Sequence, residues 1–303
     1  MRTAYLGTSG FAATVLSSLA EGPHRPDLVV TPPDRPAGRG RKLASPPVAE
    51  AARELGLELH QTADVNGPES VALLREGSPD AAVVCALGQL IREPLLSELV
   101  MLNVHPSLIP RWRGAAPIER AIMAGDERTG VTIMRVTEGL DSGPVALQEA
   151  VEIGPGDGYE AVAARLAELG GDLARRALDR LEGGGLEFSE QDDDAATYAE
   201  KITPEERRLD PRRPAVELER AVRALNPHIG TYLELEGGDR LGVREALAGG
   251  DGPVAGEISA DGDVLALGTG EGVLRLEVVQ PPGGRPMAAG DFLRGHGAPK
   301  RAI

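Results

Sequence analysis

The run Ala81-Ala-Val-Val-Cys85 is apolar at every position, with no polar residue to mark a solvent face. An alternating strand would leave one side wet, whereas this one needs cover on both sides. Parallel sheets flanked by crossover helices provide that cover. Thr3-Ala-Tyr-Leu6 and Leu28-Val-Val-Thr31 read as further strands, with Phe11 to Leu19 as the helix between them. Leu99-Val-Met-Leu102 reads as another buried strand, running into Asn103 and Val104. A helix is predicted from Pro117 to Met123, since proline is acceptable in a first turn. Val131 to Val136 and Val145 to Glu152 read as a late strand pair, and Glu160 to Leu181 as a long amphipathic helix. This alternation to about residue 183 predicts an α/β domain with a doubly wound sheet.

Beyond it the pattern changes. Glu187 to Glu200 carries Glu187, Glu190, Asp192, Asp193, Asp194 and Glu200 with no Lys or Arg, which reads as a solvated linker. Val216 to Leu225 reads as a helix. Short apolar stretches follow, at Tyr232 to Leu235, Val254 to Ile258, Val264 to Leu267 and Val273 to Leu276, with Gly-rich turns between them. Regular short strands of this kind predict a small C-terminal β-barrel. The expected division is residues 1–185, a linker over 186–204 and a barrel over 205–303.

At 303 residues the chain is long enough for two cores. Cys85 is the single cysteine and stands in an apolar run, so it reads as core filler in a reducing compartment. Gly7-Thr-Ser-Gly10 interrupts the first apolar stretch and no run is long enough to span a bilayer, so a cytoplasmic protein is expected. His24, His60, His105, His228 and His296 are scattered without metal-ligand spacing, so no metal is expected. No G-x-G-x-x-G follows the first strand and no G-x-x-x-x-G-K-(S/T) is present, which removes the usual phosphate cradles of dinucleotide and nucleoside-triphosphate sites. The net charge of −15 is uneven: residues 201–303 hold 14 basic and 16 acidic side chains and so contribute only −2. A basic face can therefore exist on the C-terminal part, with Arg207, Arg208, Arg212, Arg213, Lys300 and Arg301 as its candidates.

Asn103-Val-His105-Pro-Ser107-Leu-Ile-Pro110 places an amide and an imidazole two residues apart, and therefore on one face, at the end of a predicted strand. Gly139-Leu-Asp141-Ser-Gly143 adds a carboxylate. In open α/β sheets, ligands bind at the carboxyl ends of strands. The trio suits acyl transfer to an amine, in which a carbonyl oxygen gains negative charge and the attacking nitrogen gains positive charge. The amide and the His N–H can donate to the oxygen, while the carboxylate orients the His or helps remove the proton. Ser107 is the only nearby hydroxyl and lies in no G-x-S-x-G elbow, which disfavours a serine nucleophile.

Taken together these motifs resemble the 10-formyltetrahydrofolate-dependent formyltransferases, and among them the methionyl-tRNA formyltransferase family. The resemblance runs most of the chain. It takes in Gly7-Thr8 with Phe11-Ala12, the stretch Pro33 to Leu43, Arg111-Trp-Arg113-Gly-Ala-Ala-Pro-Ile118, and Gly125-Asp126. It continues through Thr129 to Met134, Thr197-Tyr-Ala-Glu-Lys201, and Arg223-Ala-Leu-Asn226-Pro227. Four places depart from the family pattern: Ser9-Gly10 for proline and an acidic residue, Leu87 for an aromatic, Arg92 for a proline, and His228-Ile229 for Trp-Pro.

The resemblance implies a Rossmann-like catalytic domain and an oligonucleotide-binding-like barrel. It implies Asn103, His105 and Asp141 as catalytic residues, and a cis bond at Ile109-Pro110. It also implies 10-formyltetrahydrofolate as formyl donor, held by Ala86, Leu87, Gly88, Gln89, Leu90, Ser107, Pro110 and Gly139. Arg35, Arg39, Arg41 and Lys42 lie in a loop with four basic residues in eight positions, which reads as an exposed charged loop. By resemblance this loop meets the acceptor end of initiator methionyl-tRNA, the expected partner of a monomeric enzyme. A sugar-nucleotide N-formyltransferase and a formyltetrahydrofolate hydrolase are rivals with little use for that loop. A nucleic-acid-binding module without catalysis is the rival of another class.

Overall fold

The computed structural model describes residues 1–37 and 42–303, the side chains of Ala37 and Lys42 excepted. The chain opens with β1 (Thr3–Gly7), α1 (Gly10–Ala20), β2 (Leu28–Thr31), β3 (Arg35–Ala37), β4 (Lys42–Ala44), α2 (Pro47–Glu54), β5 (Glu58–Gln61) and α3 (Pro68–Gly77). It continues through β6 (Ala81–Cys85), α4 (Leu95–Glu98), β7 (Met101–His105), β8 (Arg113–Gly114), α5 (Pro117–Ala124), β9 (Arg128–Arg135), β10 (Val145–Glu152) and α6 (Tyr159–Glu182). The rest comprises β11 (Tyr198–Ala199), α7 (Ala215–Leu225), β12 (Thr231–Glu234), β13 (Arg240–Gly249), β14 (Ile258–Asp261), β15 (Val264–Gly268), β16 (Val273–Gln280), β17 (Met287–Ala288) and α8 (Ala289–His296).

Two compact units result. The first comprises Met1–Pro117, Arg128–Glu152 and Ala163–Ala199; the second comprises Ile118–Glu127, Ile153–Val162 and Glu200–Ile303. The first holds a seven-stranded sheet in the order β10-β9-β7-β6-β1-β2-β5. Strands β1, β2, β5, β6 and β7 are parallel, while β9 runs antiparallel to both β7 and β10. Every residue of β1, β2 and β6 is buried, in β6 as its unbroken apolar character demands. Cys85 is fully buried, and that burial pushes its thiol up to about 12, consistent with core filler. Ser9, one of the departures from the family pattern, caps α1: its hydroxyl accepts from the Ala12 amide at 3.2 Å.

After β1 the chain builds outward through β2 and β5, then crosses back to place β6 and β7 on the other side of β1. That reversal opens a crevice at the carboxyl ends of the strands. Asn103 and His105 stand at the same end of the sheet, within the last three residues of β7, the strand beside β6.

In the second unit the sheet order is β12-β13-β16-β15-β14, with β17 beside β16. Its two edges are joined by the C-terminal tail. Ile303 N–H donates to Glu234 and Glu236 N–H to Arg301 on one side, while Ile258 N–H donates to Lys300 and Ala302 N–H to Gly256 on the other. The tail thus occupies both edges and closes the sheet as a barrel must. Leu233, Leu241, Val243, Leu265, Leu274 and Leu276 fill the interior together with Leu218 and Val222 of α7.

Three differences separate the structure from the sequence pattern. Val254 to Ile258 is not a strand; Gly256, at φ +87, belongs to a turn and β14 begins only at Ile258. The longest strand of the barrel, β13, lacks a clear strand pattern in the sequence because register shifts around Glu245 break its alternation. The acidic segment is solvated at its carboxylates but is no free tether. Ser189 and Val145 exchange backbone hydrogen bonds, and β11 pairs in parallel with β8.

Candidate active site

A cavity of about 430 Å³ opens at the ends of β6 and β7 and is walled by Asn103, His105, Gly114, Met134, Gly139 and Asp141. Asn103 pairs with Val84 and Met134 and His105 with Thr132, so both are fixed by sheet register. Asp141 arrives from the loop after β9 with φ +49, a left-handed conformation unusual for any residue but glycine.

The trio is joined through Asp141. Asn103 Nδ2 donates to Asp141 Oδ1 at 3.2 Å, and the Gly114 amide donates to Oδ2 at 2.8 Å. His105 Nδ1 lies 3.6 Å from the same Oδ2. On its other side His105 Nε2 is 2.8 Å from the carbonyl oxygen of Trp112. A carbonyl only accepts, so Nε2 carries the proton and Nδ1 is the ring atom turned to Asp141. His105 is 5% exposed, which shields these contacts from bulk water.

Gly114 lines the cavity at the end of the stretch Arg111 to Gly114. Trp112, at φ +63, turns its carbonyl toward His105, while its amide donates to Thr197 Oγ1 at 2.9 Å. Gly114, at φ +115, lies against β11 so closely that a Cβ would sit 2.9 Å from the Ala199 carbonyl oxygen. Only glycine brings its amide to Asp141 in this way. Neither backbone group has a sequence signature.

The loop Ala86 to Leu90 lines the same cavity, with Ala86 at φ +45 and Gly88 at φ +74. Leu87 is buried in the core, and its carbonyl accepts from the Thr8 hydroxyl at 2.9 Å. Gln89 spends its Oε1 on the Val65 amide at 2.9 Å. Leu90 and Leu140, which also line the cavity, expose 60% and 53% of their surface and give it apolar walls. Ser107 and Pro110 are not among the lining residues. Ser107 is fully buried and its hydroxyl donates to the Arg111 carbonyl at 2.7 Å, a structural bond to the turn before Gly114. The Ile109-Pro110 bond is cis.

Of the basic loop, Arg35 is exposed on β3 and Lys42 begins β4, whereas Arg39 and Arg41 fall outside the described residues. Among the described residues no group of His, Cys, Asp and Glu is arranged to hold a metal ion.

Residues 1–178 match the formyl transferase family and residues 201–297 match the formyl transferase C-terminal domain. The methionyl-tRNA formyltransferase of Halorhodospira halophila (strain DSM 244 / SL1) is 44% identical over 298 residues, spanning 97% of this chain and 96% of its own length. The chain belongs to the methionyl-tRNA formyltransferase family. Solved structures carry the fold further afield. The sugar 3N-formyl transferase WlaRD superposes with a TM-score of 0.66 at 12% identity, over 91% of this chain and 96% of that one. HypX from Aquifex aeolicus, solved with tetrahydrofolic acid, gives 0.64 at 18% identity over 97% of this chain and 48% of that one. At these identities the likeness is one of fold.

Proposed function

We propose that this chain transfers the formyl group of 10-formyltetrahydrofolate to the α-amino group of methionine carried by initiator tRNA. The observation that carries the reading is the close set of Asn103, hydrogen-bonded to Asp141, and His105, 3.6 Å from the same carboxylate, on the wall of a cavity at the carboxyl ends of β6 and β7, in a chain of this family. The neutral amine attacks the formyl carbon, a C–N bond forms, and the bond to N10 of the folate breaks. Overall one proton leaves the attacking nitrogen and one reaches N10, with no change of oxidation state.

Asn103 has two amide hydrogens and spends one on Asp141, leaving the other for the developing oxyanion. His105 Nδ1 takes up the proton released by the amine, and the Asp141 carboxylate 3.6 Å away stabilises the imidazolium so formed. The Nδ1–H then stands as a donor to the oxyanion and as the acid for N10. The bond from Nε2 to Trp112 is kept throughout, so the ring need not turn over. The Ala86 to Leu90 and Gly139 to Asp141 segments are the proposed folate walls, through backbone groups and apolar contact.

On the tRNA side the reading assigns the acceptor end to Arg35, Arg39, Arg41 and Lys42. For the barrel, the surface arrangement keeps Arg207 of the sequence candidates and adds Arg240 and Arg244. Arg208, Arg212 and Arg213 each have a carboxylate partner, Glu234 at 3.2 Å, Asp210 at 2.7 Å and Glu217 at 2.9 Å. Lys300 and Arg301 sit on the tail whose backbone closes the barrel. Arg207, Arg240 and Arg244 have no carboxylate partner among the described residues and line one cavity of about 570 Å³ with Tyr232. Among the described residues Arg244 donates to neutral oxygens alone, of Asn226 and Gln280. Burial, and then the charge of Arg207, pulls its guanidinium below its usual pKa, a field that an incoming phosphate would relieve.

The test is formyl transfer from labelled 10-formyltetrahydrofolate, offered in parallel charged initiator tRNA, a nucleotide-linked amino sugar and water. Formyl-methionyl-tRNA as the main product is expected. Transfer to the amino sugar alone, or release of formate alone, would replace this reading with one of its enzyme rivals.

A further inference from the structure

The acidic segment after α6 contributes a residue to the support of the site. Gln191 uses both ends of its amide. Its Oε1 accepts from Nε and Nη2 of Arg113, at 2.9 and 2.7 Å. Its Nε2 donates to the backbone carbonyls of Asp141 at 2.9 Å and Gly143 at 2.6 Å, and lies 3.7 Å from the sulfur of Met134. The Arg113 side chain is only 4% exposed and also bonds Asp193, so Gln191 has a rigid anchor.

The Asp141 carboxylate is held from one side by Asn103 and Gly114, but that geometry requires its own backbone to stay in the left-handed region. Such a conformation persists only where surrounding contacts impose it. Gln191 supplies two of those contacts, one at Asp141 itself and one two residues on. We propose that Gln191 is a positioning residue for the reaction: it ties the Asp141 to Gly143 backbone to Arg113 and so keeps the carboxylate in register with Gly114, Asn103 and His105. This rests on the catalytic role given to Asp141 above.

Two variants separate positioning from simple anchoring. Gln191→Glu keeps the oxygen that Arg113 needs but has no N–H for the two loop carbonyls; Gln191→Ala removes both. Both variants should lower kcat of formyl transfer by about ten- to a hundred-fold, the scale on which a displacement of roughly 1 Å acts. KM for either substrate should stay within about two-fold, since Gln191 is not among the residues lining the cavity. In an Asp141→Ala background neither substitution should lower kcat further, because the two residues act through one group.

A second readout does not depend on turnover. The Gly114 amide, which donates to Asp141 in the wild type, should shift its NMR resonance toward the position seen in Asp141→Ala. Wild-type kcat in Gln191→Glu, a further full loss in the Asp141→Ala background, or an unmoved Gly114 resonance in Gln191→Glu would each overturn the proposal. Should the wild type fail to transfer formyl groups, the functional reading falls, and the Gly114 resonance still decides the role of Gln191. Should Gln191→Ala fail to fold, Gln191→Glu carries the same tests with its link to Arg113 intact.

Discussion

The carbonyl of Trp112 accepts a hydrogen bond from Nε2 of His105 at 2.8 Å, and this contact fixes which ring nitrogen can do chemistry. With Nε2 committed as donor, proton exchange is confined to Nδ1, on the side of Asp141. The carbonyl points that way because Trp112 adopts φ +63 and its amide is tied to Thr197. One backbone turn therefore sets both the orientation and the tautomer of the imidazole.

The neighbouring Gly114 gives a sharp test of that wall. A methyl group there would stand 2.9 Å from the Ala199 carbonyl on a backbone at φ +115, so the β8 to β11 pairing must give way. Gly114→Ala should cost about 1–3 kcal/mol, the scale of a strained backbone position, measured by denaturant unfolding. It should also lower kcat more than the conservative change suggests, because the donor to Asp141 moves. An unchanged stability and kcat would show that the close approach is not needed.

Ser107 separates transfer from serine-nucleophile hydrolysis. Its buried hydroxyl bonds the Arg111 carbonyl and stands off the cavity wall. Ser107→Ala should cost about 0.5–1.5 kcal/mol of stability, the net worth of one hydrogen bond. The folded variant should retain most of its turnover, and abolished turnover with normal folding would contradict the assignment.

The trio is legible in sequence because each member lies in a compact motif: Asn103 and His105 share a strand face, and Gly139 and Gly143 flank Asp141. The sheet is legible for a related reason, since Ala81 to Cys85 is buried on both sides and says so in every residue. What stays hidden works through backbone or through distance. The Trp112 carbonyl and the Gly114 amide are groups that every non-proline residue possesses. Gln191 lies 50 positions from Asp141, within a charge run whose carboxylates are solvated as read while its neutral member turns inward. In the barrel, β13 loses its period to register shifts, and the short helix α8, with Gly290 and Gly295 inside it, carries little helical signal.

Arg244 and Arg39 test the two proposed tRNA-binding regions independently. Arg244→Ala should flatten the slope of log affinity against log salt by roughly 0.7–0.9 for each phosphate that the side chain neutralises, with folate binding unchanged in calorimetry. Arg39→Ala should weaken productive use of charged tRNA, again with folate binding intact. An equal fall in affinity for both ligands in either variant would point to a folding defect.

Acid stability of the C-terminal unit has a named contributor. The Arg212 side chain, hydrogen-bonded to Asp210, holds that carboxyl at about 2, below the ordinary 3.8. A lowered folded-state value stabilises above the unfolded value and is lost as pH falls through the folded one. The unfolding midpoint of Asp210→Asn should therefore lie below that of the wild type by a constant gap above pH 3.8, closing toward about 2. A gap that persists to the acid end would assign the effect to something other than ionisation.

The most direct measurement is kcat for formyl transfer to charged initiator tRNA in Asn103→Ala, His105→Ala and Asp141→Ala, each shown to be folded and to bind folate. Removal of a single oxyanion donor costs about 10²–10³ in rate, and each variant should fall at least that far. Near-normal turnover in all three would place the chemistry elsewhere in the molecule.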